Sequence, residues 1–244
     1  VLWSAQSLLD QRITGTNGNN DTRQIFAYSD SSADHLKDFR WSALSATERA
    51  YFSSENQLNY LRGRRDHEDR AENAERLFRP REHVLGALIN AQPLVVASPA
   101  FGYADENYGL FRDQQPARKS MVYAAANDGM LHAFDGSKTS LGGQPIMSFI
   151  PDPVFANLPT YASITGAKVQ PFVDGSPFVG DVKVNGIAIR GAAVMDKKWW
   201  TTLGMRIGTG LPGLVIAGTF IQPKDRAFVS WTRKAGQPLE ITLA

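Results

Sequence analysis

Apolar positions change their spacing along this chain, and the change divides it into two parts. In the first part they are sparse. Ser4 to Gln11 reads as a short helix that ends at the polar loop Gly15-Thr16-Asn17-Gly18-Asn19-Asn20. Arg23 to Tyr28 alternates as a strand does. Ser45 and Glu48 form an S-x-x-E capping box, in which each side chain satisfies the other residue's free backbone N–H. The box predicts a helix from Ala46 to Arg62 with Tyr51, Leu58 and Leu61 on its apolar side. Later the pattern becomes short β-branched or aromatic runs between turn residues. Strands are predicted at Leu94–Ala97, Met121–Ala126, Met130–Phe134, Ile146–Ile150, Pro171–Val173 and Phe178–Val184. Further ones follow at Ile187–Val194, Trp200–Ile207, Leu214–Phe220 and Ala227–Thr232. Asn127-Asp128-Gly129 and Asn185-Gly186 are hairpin signals, because such residues tolerate the positive φ of tight turns.

Glycine and proline sharpen this division. Three Gly and one Pro precede Val84, whereas eighteen Gly and twelve Pro lie from Val84 to Ala244. Frequent punctuation of this kind shortens elements and multiplies turns. We therefore expect a mixed α/β segment over 1–83 and a β-rich region over 84–244, with the boundary near Phe78–Gly86. Many short strands with no long amphipathic helix between them indicate a sandwich, barrel or propeller rather than a doubly wound sheet.

Composition narrows the function. The 244 residues are 43% hydrophobic and 20% charged, which excludes a wholly disordered chain. A net charge of +2 lacks the basic footprint of a nucleic-acid binder. No apolar run is long enough for a transmembrane helix. The first residues show no signal peptide and no initiator Met, so a processed or excised end is expected. With no Cys, thiolate metal sites, thiol catalysis and disulfides are all ruled out.

Few residues carry a chemical signature. Gly208-Thr209-Gly210-Leu211-Pro212-Gly213 matches G-x-G-x-x-G, but a strand-like run follows it and Arg233 takes the expected acidic position, so it reads as a turn. Asn17, Asn19 and Asp21 alternate like the first calcium ligands of an EF-hand, yet Thr22 and Tyr28 replace the required Gly and Glu. His132 is expected to bond locally to Asp128 or Asp135. His35, His67 and His83 are scattered and form no zinc motif, and no G-x-S-x-G elbow exists. Arg62 to Glu82 holds seven Arg and six acids, which reads as a solvated face. Asp174-Gly175-Ser176-Pro177 reads as a turn with Asp174 bonded to its own backbone. Trp199 and Trp200 read as core. Phe101, Tyr103, Tyr108 and Phe111 form a loop rich in large rings, which either anchors a partner or packs over a sheet edge. No catalytic or metal-binding residue is assigned.

Met121 to Asp135 reads as strand, tight turn and strand, with small Ala124-Ala125-Ala126 permitting close sheet packing. Together with Phe39-Arg40-Trp41, Asn59-Tyr60-Leu61-Arg62-Gly63, Phe78-Arg79-Pro80-Arg81, Val84-Leu85-Gly86, Ile89 to Val96, Ile150-Pro151 and Phe172 to Val182, it resembles the C-terminal region of the PilY1-type family of type IV pilus tip and assembly proteins. The motifs keep their order from about Arg23 to Val182, and Trp200 to Leu203 is a looser echo. The resemblance implies a partial or modified β-propeller of the quinoprotein-dehydrogenase-like kind, preceded by the mixed α/β segment.

It also implies a non-enzymatic protein of pilus biogenesis, exported to the pilus tip, cell surface or outer membrane. Its implied partners are minor pilins and a host or abiotic surface, with roles in adhesion and control of retraction. The family's von Willebrand A-like region has no match here. Its acidic calcium loop is also not found, so no cofactor or calcium ligand carries over to this chain. At about 40–45 residues per blade, Gly86 to Ala244 supplies three or four blades. Two rival readings are a quinone-dependent dehydrogenase-like enzyme and an inactive structural fragment whose edge strands pair with another chain.

Overall fold

The computed structural model describes residues 1–14, 21–29, 36–104, 108–113, 118–165 and 172–184, with strand segments at 199–203, 214–216, 229–231 and 242–243. The first part opens with helix α1 (Ala5–Thr14), followed by strands β1 (Ile25–Tyr28) and β2 (Leu36–Asp38). The Ser45–Glu48 capping box forms as expected: each side chain bonds the other residue's backbone N–H. The helix it starts is short, α2 (Ala46–Arg49), and a second one, α3 (Glu55–Leu61), follows after a break. Ser54 causes the restart by accepting the Gln57 N–H, while the Gln57 side chain accepts from Ser53 N. A second S-x-x-Q signal, Ser54 to Gln57, therefore cuts the expected single helix in two. Leu58 and Leu61 are buried as predicted, but Tyr51 is exposed and Tyr60 takes the buried place.

The second part supplies β3 (Leu94–Val96), helix α4 (Tyr108–Asp113), β4 (Met121–Ala126), β5 (Met130–Asp135) and β6 (Pro145–Ile150). Strands β3 to β6 form an antiparallel meander of four. Its sharpest turn is Asn127-Asp128-Gly129, a three-residue loop in which Gly129 takes φ +86°, the left-handed conformation that favours glycine. Strand β1 then pairs in parallel with β6, and β2 pairs antiparallel with β1. The result is one mixed sheet of six strands, in the order β2-β1-β6-β5-β4-β3. The chain is mainly β, and its sheet crosses the compositional boundary near 78–86.

After β6 come helix α5 (Asp152–Phe155), a 3₁₀ turn at Leu158–Ala162, and β7 (Gly180–Val184), which pairs with β8 (Trp199–Leu203). Strands β9 (Leu214–Ile216), β10 (Val229–Trp231) and β11 (Thr242–Leu243) form a separate three-stranded sheet. The expected strand at Pro171–Val173 is irregular over Phe172 and Val173, which are buried without ladder pairing. The expected strand at Ile187–Val194, the Asn185-Gly186 hairpin, the Gly208–Gly213 turn, the 15–20 loop, Asn17, Asn19 and His35 lie outside the described residues.

One core joins the elements. Phe39, Phe52 and Phe155 meet with ring centroids 5.7–5.9 Å apart, two of the three pairs close to edge-on. Leu58, Tyr60, Leu131, Ile150 and Leu158 lie in the same cluster. Residues from both compositional parts thus share a single apolar interior.

Gly86 shows how closely the β4–β5 turn is held. A Cβ there would lie 2.4 Å from the Asp128 amide nitrogen, so the chain can pass only as glycine. Gly86→Ala is expected to cost about 1–3 kcal/mol through overpacking. A urea midpoint equal to that of the parent chain would contradict this packing.

Candidate functional site

The strongest concentration of polar chemistry lies under the sheet, and strand register builds it. His132 on β5 stands directly opposite Ser148 on β6, and Ser148 opposite Ile25 on β1. Ala124 on β4 faces His132 from the other side and leaves room for the imidazole. Cross-strand neighbours point to one face, so the imidazole and hydroxyl meet, with His132 Nδ1 2.9 Å from Ser148 Oγ. The β4–β5 turn brings Asp128 to the other ring nitrogen, with Nε2 3.0 and 3.1 Å from its two oxygens. Asp128 also accepts from the Gly86 and Met130 backbone N–H groups. The local bond expected of His132 is therefore made to Asp128. Asp135 instead accepts from Ser137 and Lys119, which hold its carboxyl down at about 2.

Arg23 closes this row from the N-terminal part. Its Nη2 lies 3.5 Å from Ser148 Oγ and its Nη1 donates to the Arg62 carbonyl at 2.5 Å. Arg62 donates back to the Arg23 carbonyl at 2.9 Å and to the Phe39 carbonyl at 2.7 Å, and pairs with Asp21 at 2.5 Å. Burial lowers both guanidinium groups, Arg23 to about 10, while Asp128 and Asp21 oppose the shift. Burial also pushes the Asp128 carboxyl up, but His132, the Gly86 amide and Arg23 outweigh it and hold it below its ordinary value. The Asp128 carboxylate accepts a hydrogen bond from His132 Nε2–H, and Nδ1 on the other side of the ring pairs with the Ser148 hydroxyl.

Asp128, His132 and Ser148 are the residue types of a nucleophilic triad, yet all three are buried. Among the described residues, Arg23 and His132 flank Ser148 Oγ on either side. The row is a brace between β1 and the meander. It ties parts distant in sequence through fully buried charges.

A second brace corrects the solvated reading of Arg62 to Glu82 at Arg62, Glu68 and Arg81, which are buried, while the other charged residues there are exposed or half-buried. Glu68 is fully buried; it accepts from Arg81 Nε at 2.8 Å, Arg70 Nε at 2.7 Å and the Arg81 backbone N–H at 3.2 Å. Arg81 also donates to the carbonyls of Tyr60 and Arg64 and stacks over the Tyr60 ring at 3.8 Å. The segment after α3 is largely irregular, so its buried carbonyls need donors from elsewhere. Arginine side chains supply them. Arg64, Arg65 and Arg76 remain nearer the surface in ion pairs with Asp66, Asp10 and Asp69.

Asp174 also differs from its expected role. Its carboxylate accepts from the Asn90 backbone N–H at 3.1 Å and from the Asn90 side chain at 2.5 Å. Ser176 Oγ accepts from Gln92 N at 2.9 Å. The Asp174-Gly175-Ser176-Pro177 stretch is therefore a clasp on the 90–92 segment rather than a self-bonded turn.

The four aromatic residues expected either to anchor a partner or to pack over a sheet edge come together in one cluster. Phe101 and Tyr103 stack with centroids 5.3 Å apart, Tyr103 meets Tyr108 edge-on at 5.0 Å, and Tyr108 meets Phe111 at 5.9 Å. Tyr108 and Phe111 are buried in this cluster, whereas Tyr103 is 40% exposed; Leu110 on α4 is exposed as well. The side chains of Trp199 and Trp200 lie outside the described residues. Among the described residues, no group of three or more His, Asp or Glu could hold a metal ion, and no helix is long and apolar enough to cross a membrane.

Comparison with known proteins gives this architecture a family. No family profile and no solved structure matches the chain. The type IV pilus biogenesis factor PilY1 of Pseudomonas aeruginosa strain PAO1 is 35% identical over 76% of the chain, and its counterpart in strain UCBPP-PA14 is 32% identical over 87%. A PilY1 homolog of Xylella fastidiosa is 35% identical over 62% of the chain. The chain spans 16–18% of the length of the Pseudomonas proteins and 12% of the Xylella one. It belongs to the PilY1-type family of type IV pilus biogenesis factors, as a short stretch of their length.

Proposed function

We propose that this chain serves type IV pilus biogenesis as a non-enzymatic binding segment. The observation that carries the reading is its identity of about a third, over most of its length, to proteins named for that process. In this reading it works outside the cell, at the pilus tip or cell surface. It engages minor pilins, and contributes to adhesion and the control of retraction. The β3–β6 meander acts as one blade of a modified propeller, a role that suits its four antiparallel strands. The buried position of Ser148 supports a binding rather than a hydrolytic role.

The aromatic cluster is the partner surface in this proposal. Tyr108 and Phe111 form its floor, Phe101 is partly buried, and exposed Tyr103 offers the contact. Exposed aromatic anchors on a rigid base carry much of the energy of protein interfaces. The test is a chromosomal Tyr103→Ala variant, scored for surface pili and for co-purification of minor pilins. Surface pili are expected to fall several-fold while the chain's abundance and melting temperature hold. Unchanged piliation and co-purification would remove the surface from the proposal. A clean deletion that left piliation intact would remove the function itself.

A further inference from the structure

We infer that the side chain of Asn127 is the binding site for one internal water molecule, built into the tip of the β4–β5 turn. Most hairpin turns face solvent, because buried loops carry polar groups that need partners. This one is buried throughout, and Asn127 is 4% exposed. Its backbone N–H donates to the Ala87 carbonyl at 3.0 Å, and the oxygens of neighbouring Asp128 are engaged by Gly86, Met130 and His132. The carboxamide of Asn127 stands apart. Both Oδ1 and Nδ2 are buried with no hydrogen-bond partner.

Leaving such a donor and acceptor unmet is costly, and buried polar side chains in folded proteins are nearly always satisfied. A primary amide presents an acceptor and a donor side by side, so a single water can donate to Oδ1 and accept from Nδ2. Buried waters take two to four such bonds. Enclosure selects water over a larger ligand, since a peptide or sugar could not reach the amide without opening the turn. A metal ion is disfavoured because the nearest carboxylate, Asp128, is already fully bonded.

The sign of one substitution tests the inference. Asn127→Leu keeps the branch point and the number of side-chain heavy atoms and removes both polar atoms. If a water is held, the variant strands it and lowers the folding equilibrium constant of the full chain about tenfold. If the amide is simply unpaired, leucine relieves a burden and stability is unchanged or rises, which would overturn the inference. A second measurement on the parent chain keeps the test open should the variant fail to fold. Amide-to-water cross-relaxation at the Asn127 Nδ2 protons should show a long-lived bound water, and its absence would overturn the inference equally.

Discussion

Glu68→Ala lowers the stability of the chain by about 3–5 kcal/mol, the range for removing one partner of a buried ion pair. The magnitude follows from what Glu68 serves. Its two oxygens receive both the side chain and the backbone N–H of Arg81, and the side chain of Arg70. Without the carboxylate, the Arg81 guanidinium stays buried against Tyr60 with no counter-charge. Glu68→Gln retains the shape and one acceptor, so it should fall between the two. Urea denaturation of the three proteins checks this, and a loss below about 1 kcal/mol for the alanine variant would mean that the brace is not closed in solution.

Asp128→Ala is the second large effect, again about 3–5 kcal/mol. It removes the acceptor for His132, for the Gly86 and Met130 amides, and a counter-charge of buried Arg23. The same carboxylate sets a pH dependence. Its folded-state value lies below the ordinary one, so its contribution is complete above the unfolded carboxylate range. The contribution is then lost as pH falls through the folded value. Asp135, held at about 2 by Lys119 and Ser137, and Glu48, also held low although its partial burial acts the other way, act in the same direction. Stability should therefore be flat from neutrality to about pH 5 and decline between about pH 4 and pH 2. In Asp128→Ala the decline should be shallower. An equal slope in both proteins would contradict the assigned role.

Local signals in the sequence carried much of this fold. The apolar runs at 121–126 and 130–134, the Asn127-Asp128-Gly129 turn and the Ser45–Glu48 box all depend on neighbouring residues, and each forms within a residue or so of its expected place. Helix α3 was equally legible, because Ser54 and Gln57 repeat the capping pattern, but the longer apolar spacing from 46 to 62 masks it. The parallel pairing of β1 with β6 was not legible. It joins residues more than 120 positions apart, and no local pattern encodes such a register.

Charge was the least legible feature. Opposed charges three or four apart describe a solvated helix or loop, yet three charged residues of the irregular segment after α3 are drawn inward: Arg62 and Arg81 donate to buried carbonyls, and Glu68 accepts from Arg81. Asp128 and His132 lay close enough in sequence to be paired in advance. Ser148 and Arg23 did not, since only the sheet brings them together. The aromatic cluster was visible by composition. Its division into buried Tyr108 and Phe111 and accessible Tyr103 required the structure.

Quantitative mass spectrometry of pili sheared from the native cells tests the central claim most directly. If this chain acts in pilus biogenesis, its peptides co-enrich with minor pilins in the sheared fraction. Recovery of the intact chain in another cell fraction, with none on pili, would contradict it.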